Sequence, residues 1–249
     1  MTLIPDRSGS VASNDARIAY HVYGDLSAGV PLVLLHGNSE SSKRFDEQVA
    51  FFRVNRPVVT IDSRGHGDST LGDVPLSFPT MADDVAAVVE HLGMERFDLF
   101  GFSDGGNIAL TLACRPFAPL RSLVVVSANL SPEGEKVWVR RVTSAAAWVL
   151  RMKANVLPVL RNLSQRLDLM ACEPNLTPED LARIAVPTLV VAGKNDIILP
   201  EHTELIHESI AGSQLVIIED AGHTALTTHA AVFNAAVEAF LKSVAEREG

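Results

Sequence analysis

Cysteine is scarce: Cys114 and Cys172 are the only two in 249 residues, and neither stands in a metal or redox spacing. A disulfide framework is therefore excluded, and the pair reads as two unpaired thiols of a cytoplasmic protein. Basic residues are short as well. Lys and Arg number 21 against 30 Asp and Glu, a net charge of -9, which argues against nucleic acid or an anionic membrane as the main partner. No run approaches the roughly 18 uninterrupted apolar residues of a membrane span. The opening stretch Met1-Thr2-Leu3-Ile4-Pro5-Asp6-Arg7 has no basic segment followed by an apolar one, so no secretory leader is expected there. Hydrophobic residues are plentiful at 47% against 20% charged, enough for a substantial core and far from a disordered composition.

Short apolar runs alternate with helical patterns along the chain. Ala16 to Tyr23 alternates and stops at Gly24, as a half-buried antiparallel strand does. Pro31 to Leu35 and Pro57 to Ile61 are continuous apolar runs, which fit strands covered on both faces. A helical stretch around Ser42 to Phe52 lies between them. Thr80 to Leu92 carries Met81, Val85, Val88, Val89 and Leu92 on one side of a helix. Strand Phe97 to Phe100, helix Gly105 to Cys114 and strand Leu123 to Val126 follow. Beyond an interruption come strand Thr188 to Val191, helix His202 to Ile210, strand Gln214 to Ile218 and helix His229 to Leu241. This rhythm predicts an α/β fold, a mostly parallel central sheet with helices on both faces, forming one domain over 1–249.

The interruption spans about 132–169, where two helical patterns follow each other without a strand between. The spacing predicts a small helical lid there, inserted between core segments 1–131 and 170–249. It is the basic part of an acidic chain. Between Pro132 and Leu167, Lys136, Arg140, Arg141, Arg151, Lys153, Arg161 and Arg166 stand against only Glu133 and Glu135, a net of +5 that leaves -14 for the remainder. A solvated outer helix face explains this; a rim that favours anionic substrates is the alternative.

Between a predicted strand and a predicted helix stands Gly101-Phe102-Ser103-Asp104-Gly105-Gly106. A G-x-S-x-G match in that setting forms a sharp turn that exposes the serine hydroxyl at the carboxyl end of the sheet. The helix that follows points its free N–H groups and positive dipole at the same spot. A glycine turn made only for packing is the competing reading.

With this motif the chain resembles the α/β-hydrolases, and the resemblance extends over nearly its whole length. Leu34-Leu35-His36-Gly37-Asn38 is similar to the family's HG-x oxyanion loop. Asp62-Ser63-Arg64-Gly65-His66-Gly67-Asp68-Ser69 resembles its D-x-R-G-x-G-x-S loop. Val191 to Asp196 and Ala221-Gly222-His223 resemble the loops that carry its acid and base. The chain order Ser103, Asp196, His223 is the order that family uses. The resemblance implies that Ser103 is the nucleophile, His223 its base and Asp196 the carboxylate that orients His223. It also implies that the backbone N–H groups of Asn38 and Asp104 hold the oxyanion. Asp220, three residues before His223, is the rival acid.

His36 and His66 read as loop architecture. His202, His207 and His229 fall at exposed-looking helix positions, and His21 and His91 have no catalytic context. No pair has zinc spacing, so neither metal nor cofactor is inferred. Asp104 opens a helix whose dipole stabilises a carboxylate; alternatively its side chain binds substrate and attracts an ammonium group. The Gly-x-Ser-Asp-Gly-Gly variant resembles a branch that includes valacyclovir-hydrolase-like esterases, which favour amino-acid esters. The expected activity is hydrolysis of a small ester through an acyl-enzyme, with a small molecule as the partner. A carbon–carbon bond hydrolase with the same triad, or a ligand-binding receptor on this scaffold, is the alternative.

Overall fold

In the computed structural model, which describes residues 3–247, eight strands form one sheet. Met1, Thr2, Glu248 and Gly249, the ends of the expected 1–249 unit and the first residues of the leader reading, lie outside the described residues. The strands are β1 (Arg7–Ser13), β2 (Ala16–Tyr23), β3 (Leu32–Leu35), β4 (Val58–Ile61), β5 (Phe97–Phe102), β6 (Leu120–Val126), β7 (Thr188–Gly193) and β8 (Gln214–Ile218). They lie in the order β1-β2-β4-β3-β5-β6-β7-β8. β2 runs antiparallel to β1 and β4; from β4 to β8 every neighbour is parallel.

Side-chain alternation explains why the parallel strands are apolar throughout. Val33, Leu35, Leu99, Leu123 and Val125 enter one core, while Leu32, Leu34, Phe100, Val124 and Val126 enter the other. Successive residues of a strand point to opposite faces, so a sheet covered twice needs apolar residues at every position. Helices α1 (Asp46–Phe52), α2 (Phe78–His91) and α3 (Asp104–Ala113) divide between the faces. Val85 and Val88 of α2 and Ile108 and Leu112 of α3 fill the first core; Val49 and Phe52 of α1 fill the second.

The edge strand β1 has no apolar alternation to announce it. Its register against β2 supplies the backbone hydrogen bonds instead, from Arg7 opposite Val22 to Ser13 opposite Ala16. Asn14, in the left-handed region at φ 50°, turns the hairpin.

Between β6 and β7 the chain forms α4 (Val137–Ala154), α5 (Arg161–Cys172) and the short α6 (Pro178–Leu181). α4 packs on α5, and only Val139, Thr143 and Ala147 of α4 are buried. α5 runs to Cys172, past the expected limit at 169, with the N–H of Glu173 closing on the carbonyl of buried Leu169. α7 (Pro200–Ser209), α8 (Ala225–Thr228) and α9 (Ala230–Glu246) follow, and Phe233, Val237 and Phe240 of α9 complete the second core. Among the described residues no helix is long and apolar enough to cross a membrane.

Candidate active site

The site grows from the turn between β5 and α3. Ser103 sits there at φ 54°, ψ -121°, a conformation costly for a residue with a side chain. Its N–H donates to the Val126 carbonyl at 2.8 Å, and its carbonyl accepts from the Asn107 N–H at 3.0 Å. The flanking glycines are required by close approach. A Cβ on Gly101 would overlap the Gly105 carbonyl, and one on Gly105 would overlap the Leu35 carbonyl at the end of β3. Only bare backbone lets α3 start this near to two strands.

His223 lies on the loop after β8 and Asp196 on the loop after β7. Both point toward Ser103. His223 Nδ1 donates to Asp196 Oδ1 at 2.7 Å, and Nε2 accepts from Ser103 Oγ at 3.1 Å. Facing the Asp196 carboxylate, Nδ1 carries a proton, and the neutral ring of that tautomer offers Nε2 as the acceptor for the Ser103 hydroxyl. Asp196 is buried, and burial works to raise its pKa. Hydrogen bonds from His223, from Ser127 Oγ at 2.6 Å and from the Ile198 N–H nevertheless hold it below the usual carboxylate range. Asp220, the rival acid, is exposed at positive φ and makes no such contact to His223 among the described residues.

A cavity of about 320 Å³ opens over Ser103 and His223. Asn38 and Asp104 line it side by side. The Asp104 N–H is the first of α3, one of the donors a helix cannot satisfy internally. Asn38 Nδ2 donates to Asp104 Oδ2 at 2.9 Å and to the Arg166 carbonyl of α5 at 3.1 Å, tying the loop after β3 to both helices. Burial pushes the Asp104 carboxyl up to about 6. Glu135 also faces the cavity, 7% exposed, with its Oε2 lacking any hydrogen-bond partner. Burial, reinforced by nearby Asp104, pushes it up to about 7.

No lysine or arginine lines this cavity among the described residues. Basic residues of 132–169 are paired away from the cavity, Arg140 with Glu133 and Arg151 with Asp168 inside the segment and Arg161 with Asp73 outside it.

His36 and His66 serve the loops around the site. His36 Nδ1 donates to the Gly37 carbonyl at 2.7 Å and Nε2 accepts from the Ser63 N–H at 3.0 Å. His66 Nδ1 donates to the Arg64 carbonyl, and burial pushes its pKa down to about 4. His202, His207 and His229 are half-buried rather than exposed, and His202 Nδ1 accepts from the Leu130 N–H. Away from Ser103, His21, Asp62 and Asp68 bring ligand-type atoms within 4.8 Å of one another. Both Asp62 oxygens already accept backbone N–H groups, from Ser42 and Asp68.

Sequence reasoning missed two residues of the site. Ser127 directly follows β6 without a motif to single it out. Glu135 stands among basic residues as a minority charge. Lys136 N–H donates to the Ile197 carbonyl and Leu199 N–H to the Gly134 carbonyl, and this pairing turns Glu135 inward.

A model of the Alpha/beta hydrolase family matches residues 32–236. The pimeloyl-(acyl-carrier protein) methyl ester esterase of Neisseria meningitidis is 30% identical over 243 residues, covering 85% of this chain and 93% of its own. The 3-oxoadipate enol-lactonase 2 of Acinetobacter baylyi is 25% identical over 260 residues, covering 94% and 96%. Among solved structures, the enol-lactonase of Burkholderia xenovorans superposes with a TM-score of 0.78 at 23% identity, covering 94% of this chain and all of the other. At that identity the likeness is one of fold.

Proposed function

Because this chain belongs to the alpha/beta hydrolase family, we propose that it hydrolyses a small carboxylic ester through a serine-linked acyl-enzyme. The observation that carries the reading is the hydrogen-bonded series Ser103 Oγ, His223 Nε2, His223 Nδ1, Asp196 Oδ1 at the floor of a cavity. A serine hydroxyl is a weak nucleophile at neutral pH and needs a base within hydrogen-bond reach.

In this reading Ser103 Oγ attacks the ester carbonyl while its proton passes to His223 Nε2. The Asn38 and Asp104 N–H groups hold the oxyanion of the tetrahedral intermediate. The C–O bond to the leaving group breaks, and His223 hands its proton to the departing alcohol. A water then loses a proton to His223 and attacks the acyl carbon, and collapse releases the acid and restores Ser103. Asp196 stays ionised throughout and stabilises the imidazolium. The segment around α4 and α5 acts as a lid, with Leu167 and Met170 of α5 lining the cavity. The ester and lactone hydrolases among the relatives support this substrate class.

The partner is a small molecule and the compartment the cytoplasm, a reading supported by the net charge of -9 and the two free cysteines. The test is steady-state turnover of acyl esters of graded chain length by wild type and Ser103→Ala. Many turnovers by the wild type, with kcat lower by on the order of 10⁴–10⁶ in the variant, are expected. Stoichiometric binding without turnover would favour a receptor on this scaffold.

A further inference from the structure

We propose that the outer face of α4 seats this protein on an anionic lipid bilayer, with Trp138, Val142 and Val149 entering the headgroup region and Arg141 and Lys153 reaching lipid phosphates. Docking of this kind does not depend on the reaction proposed above. Both tryptophans of the chain lie on this helix, Trp138 63% and Trp148 65% exposed. Ten of the sixteen large apolar side chains that the described residues expose fall between Val137 and Leu163. Apolar residues scattered singly over a surface need no explanation, whereas a concentration of them marks a face that something covers.

α4 is apolar on two sides. Val139, Thr143 and Ala147 form the side packed on the protein. Trp138, Val142, Ala145, Val149 and Met152 recur at helical spacing on the opposite side, exposed and within about 80° of the circumference at 3.6 residues per turn. A helix that only covered the cavity would need the first side alone. Just past its end Val156 and Val159 are exposed as well.

Charge identifies the occupant. α4 holds four basic residues, Arg140, Arg141, Arg151 and Lys153, and no acidic one. Arg140 pairs with Glu133 and Arg151 with Asp168. Arg141 and Lys153 are exposed without an ion pair among the described residues, and helical spacing sets one on each edge of the apolar stripe. A long basic side chain there lays its stem along the apolar neighbours and lifts its charge to a phosphate. Two copies packed through this face would instead set four basic residues against four. Tryptophan is favoured where headgroups meet acyl chains, which selects a bilayer over an acidic protein. With -14 on the residues outside 132–167, an anionic surface attracts this face and repels the others, which fixes the orientation. Exposed charges more than about 8 Å away are largely screened at physiological salt, so the acidic excess of the whole chain does not prevent the contact.

Because both tryptophans sit in the proposed contact, the tryptophan emission of the unmodified protein reports on it directly. Vesicles of phosphatidylcholine with about a third phosphatidylglycerol should shift that emission to the blue and carry the protein upward in a flotation gradient. Lipids brominated on the acyl chain should quench it. Binding to pure phosphatidylcholine should be weaker by about tenfold or more. Each basic residue near such a surface contributes about a factor of five, so Arg141→Gln with Lys153→Gln should weaken binding by on the order of twentyfold. Trp138→Ser with Val142→Ser, which keeps Trp148 as reporter, should weaken it by about tenfold or more. Val232→Ser, at an exposed position of α9, should change it by less than about twofold. All five side chains are exposed, so thermal melts of the variants should match the wild type.

Unshifted emission and no flotation with the anionic vesicles would overturn the proposal. So would a blue shift that grows with protein concentration in the absence of lipid, which would assign the face to a second copy. Binding lost with the basic pair yet unchanged in Trp138→Ser with Val142→Ser would overturn it too, because a contact made by charge alone fits an acidic protein as well as a bilayer.

Discussion

Ser127 Oγ donates to Asp196 Oδ2 at 2.6 Å while His223 Nδ1 donates to Oδ1 of the same carboxylate at 2.7 Å. One buried carboxylate is thus held from two sides, and the plane it presents to the imidazole is set by a serine on a third loop. Ser127 itself sits at φ 53°, with its N–H bonded to the Val191 carbonyl.

Removing that hydroxyl should loosen the carboxylate without discharging it. Ser127→Ala is expected to lower kcat/KM roughly tenfold, the scale of one hydrogen bond to a charged acceptor. Steady-state kinetics with an activated ester check this. A thermal melt close to wild type assigns the loss to positioning rather than to unfolding.

The two candidate acids differ sharply in surroundings, and their amides should differ in activity. Asp196→Asn is expected to lower kcat by on the order of 10⁴, since a carboxamide at Oδ1 can hold His223 in the wrong tautomer. Asp220→Asn, at an exposed position, should change it by less than a few-fold. The opposite ranking in a matched pair of assays would hand the role to Asp220.

A methyl group at the elbow meets backbone, which cannot swing aside. Gly105→Ala should destabilise the fold by on the order of 3 kcal/mol or more, because its Cβ would overlap the Leu35 carbonyl. Gly93→Ala meets no atom within 4 Å and is penalised only for its φ of 64°, so about 1 kcal/mol is expected there. Urea titration of the two variants side by side separates packing from backbone strain.

The buried carboxyl of Glu135 makes stability depend on pH in a direction that can be worked out. Its folded pKa of about 7 lies above the ordinary Glu value near 4.5. The unfolded state therefore gives up its proton first as pH rises, and stability falls between about pH 4.5 and 7. Glu135→Gln carries no such cost. It should gain on the wild type by on the order of 1 kcal/mol at pH 8, with the difference shrinking toward pH 5. Urea unfolding at both pH values measures it. A constant difference would show that Glu135 does not titrate in this range.

Most of the sheet was readable from the chain because burial on both faces leaves an unmistakable apolar run, as at Leu32 to Leu35 and Val58 to Ile61. β1 was not, since an edge strand needs no run of apolar residues and in Arg7 to Ser13 Val11 is the only sizeable apolar side chain. The elbow around Ser103 could be found because its geometry dictates glycine at fixed offsets. Ser127 and Glu135 have no such signature. What makes each matter is a partner far away in sequence: Asp196 for the first, Ile198 for the second.

The backbone bonds at the two ends of the helical excursion have a consequence for how such a chain can diversify. Lys136 and Gly134 are fastened to the loop of Asp196, and the Leu176 N–H is fastened to the Leu130 carbonyl. The chain leaves and rejoins the sheet through two fixed joints. Between them α5 is held to the core by buried Leu169 and by the Arg166 carbonyl on Asn38, so the largely exposed α4 is the part whose length and surface can drift while the strand ends keep their register. Variation there would tune what is admitted to the cavity; variation at the joints would disturb the reaction itself.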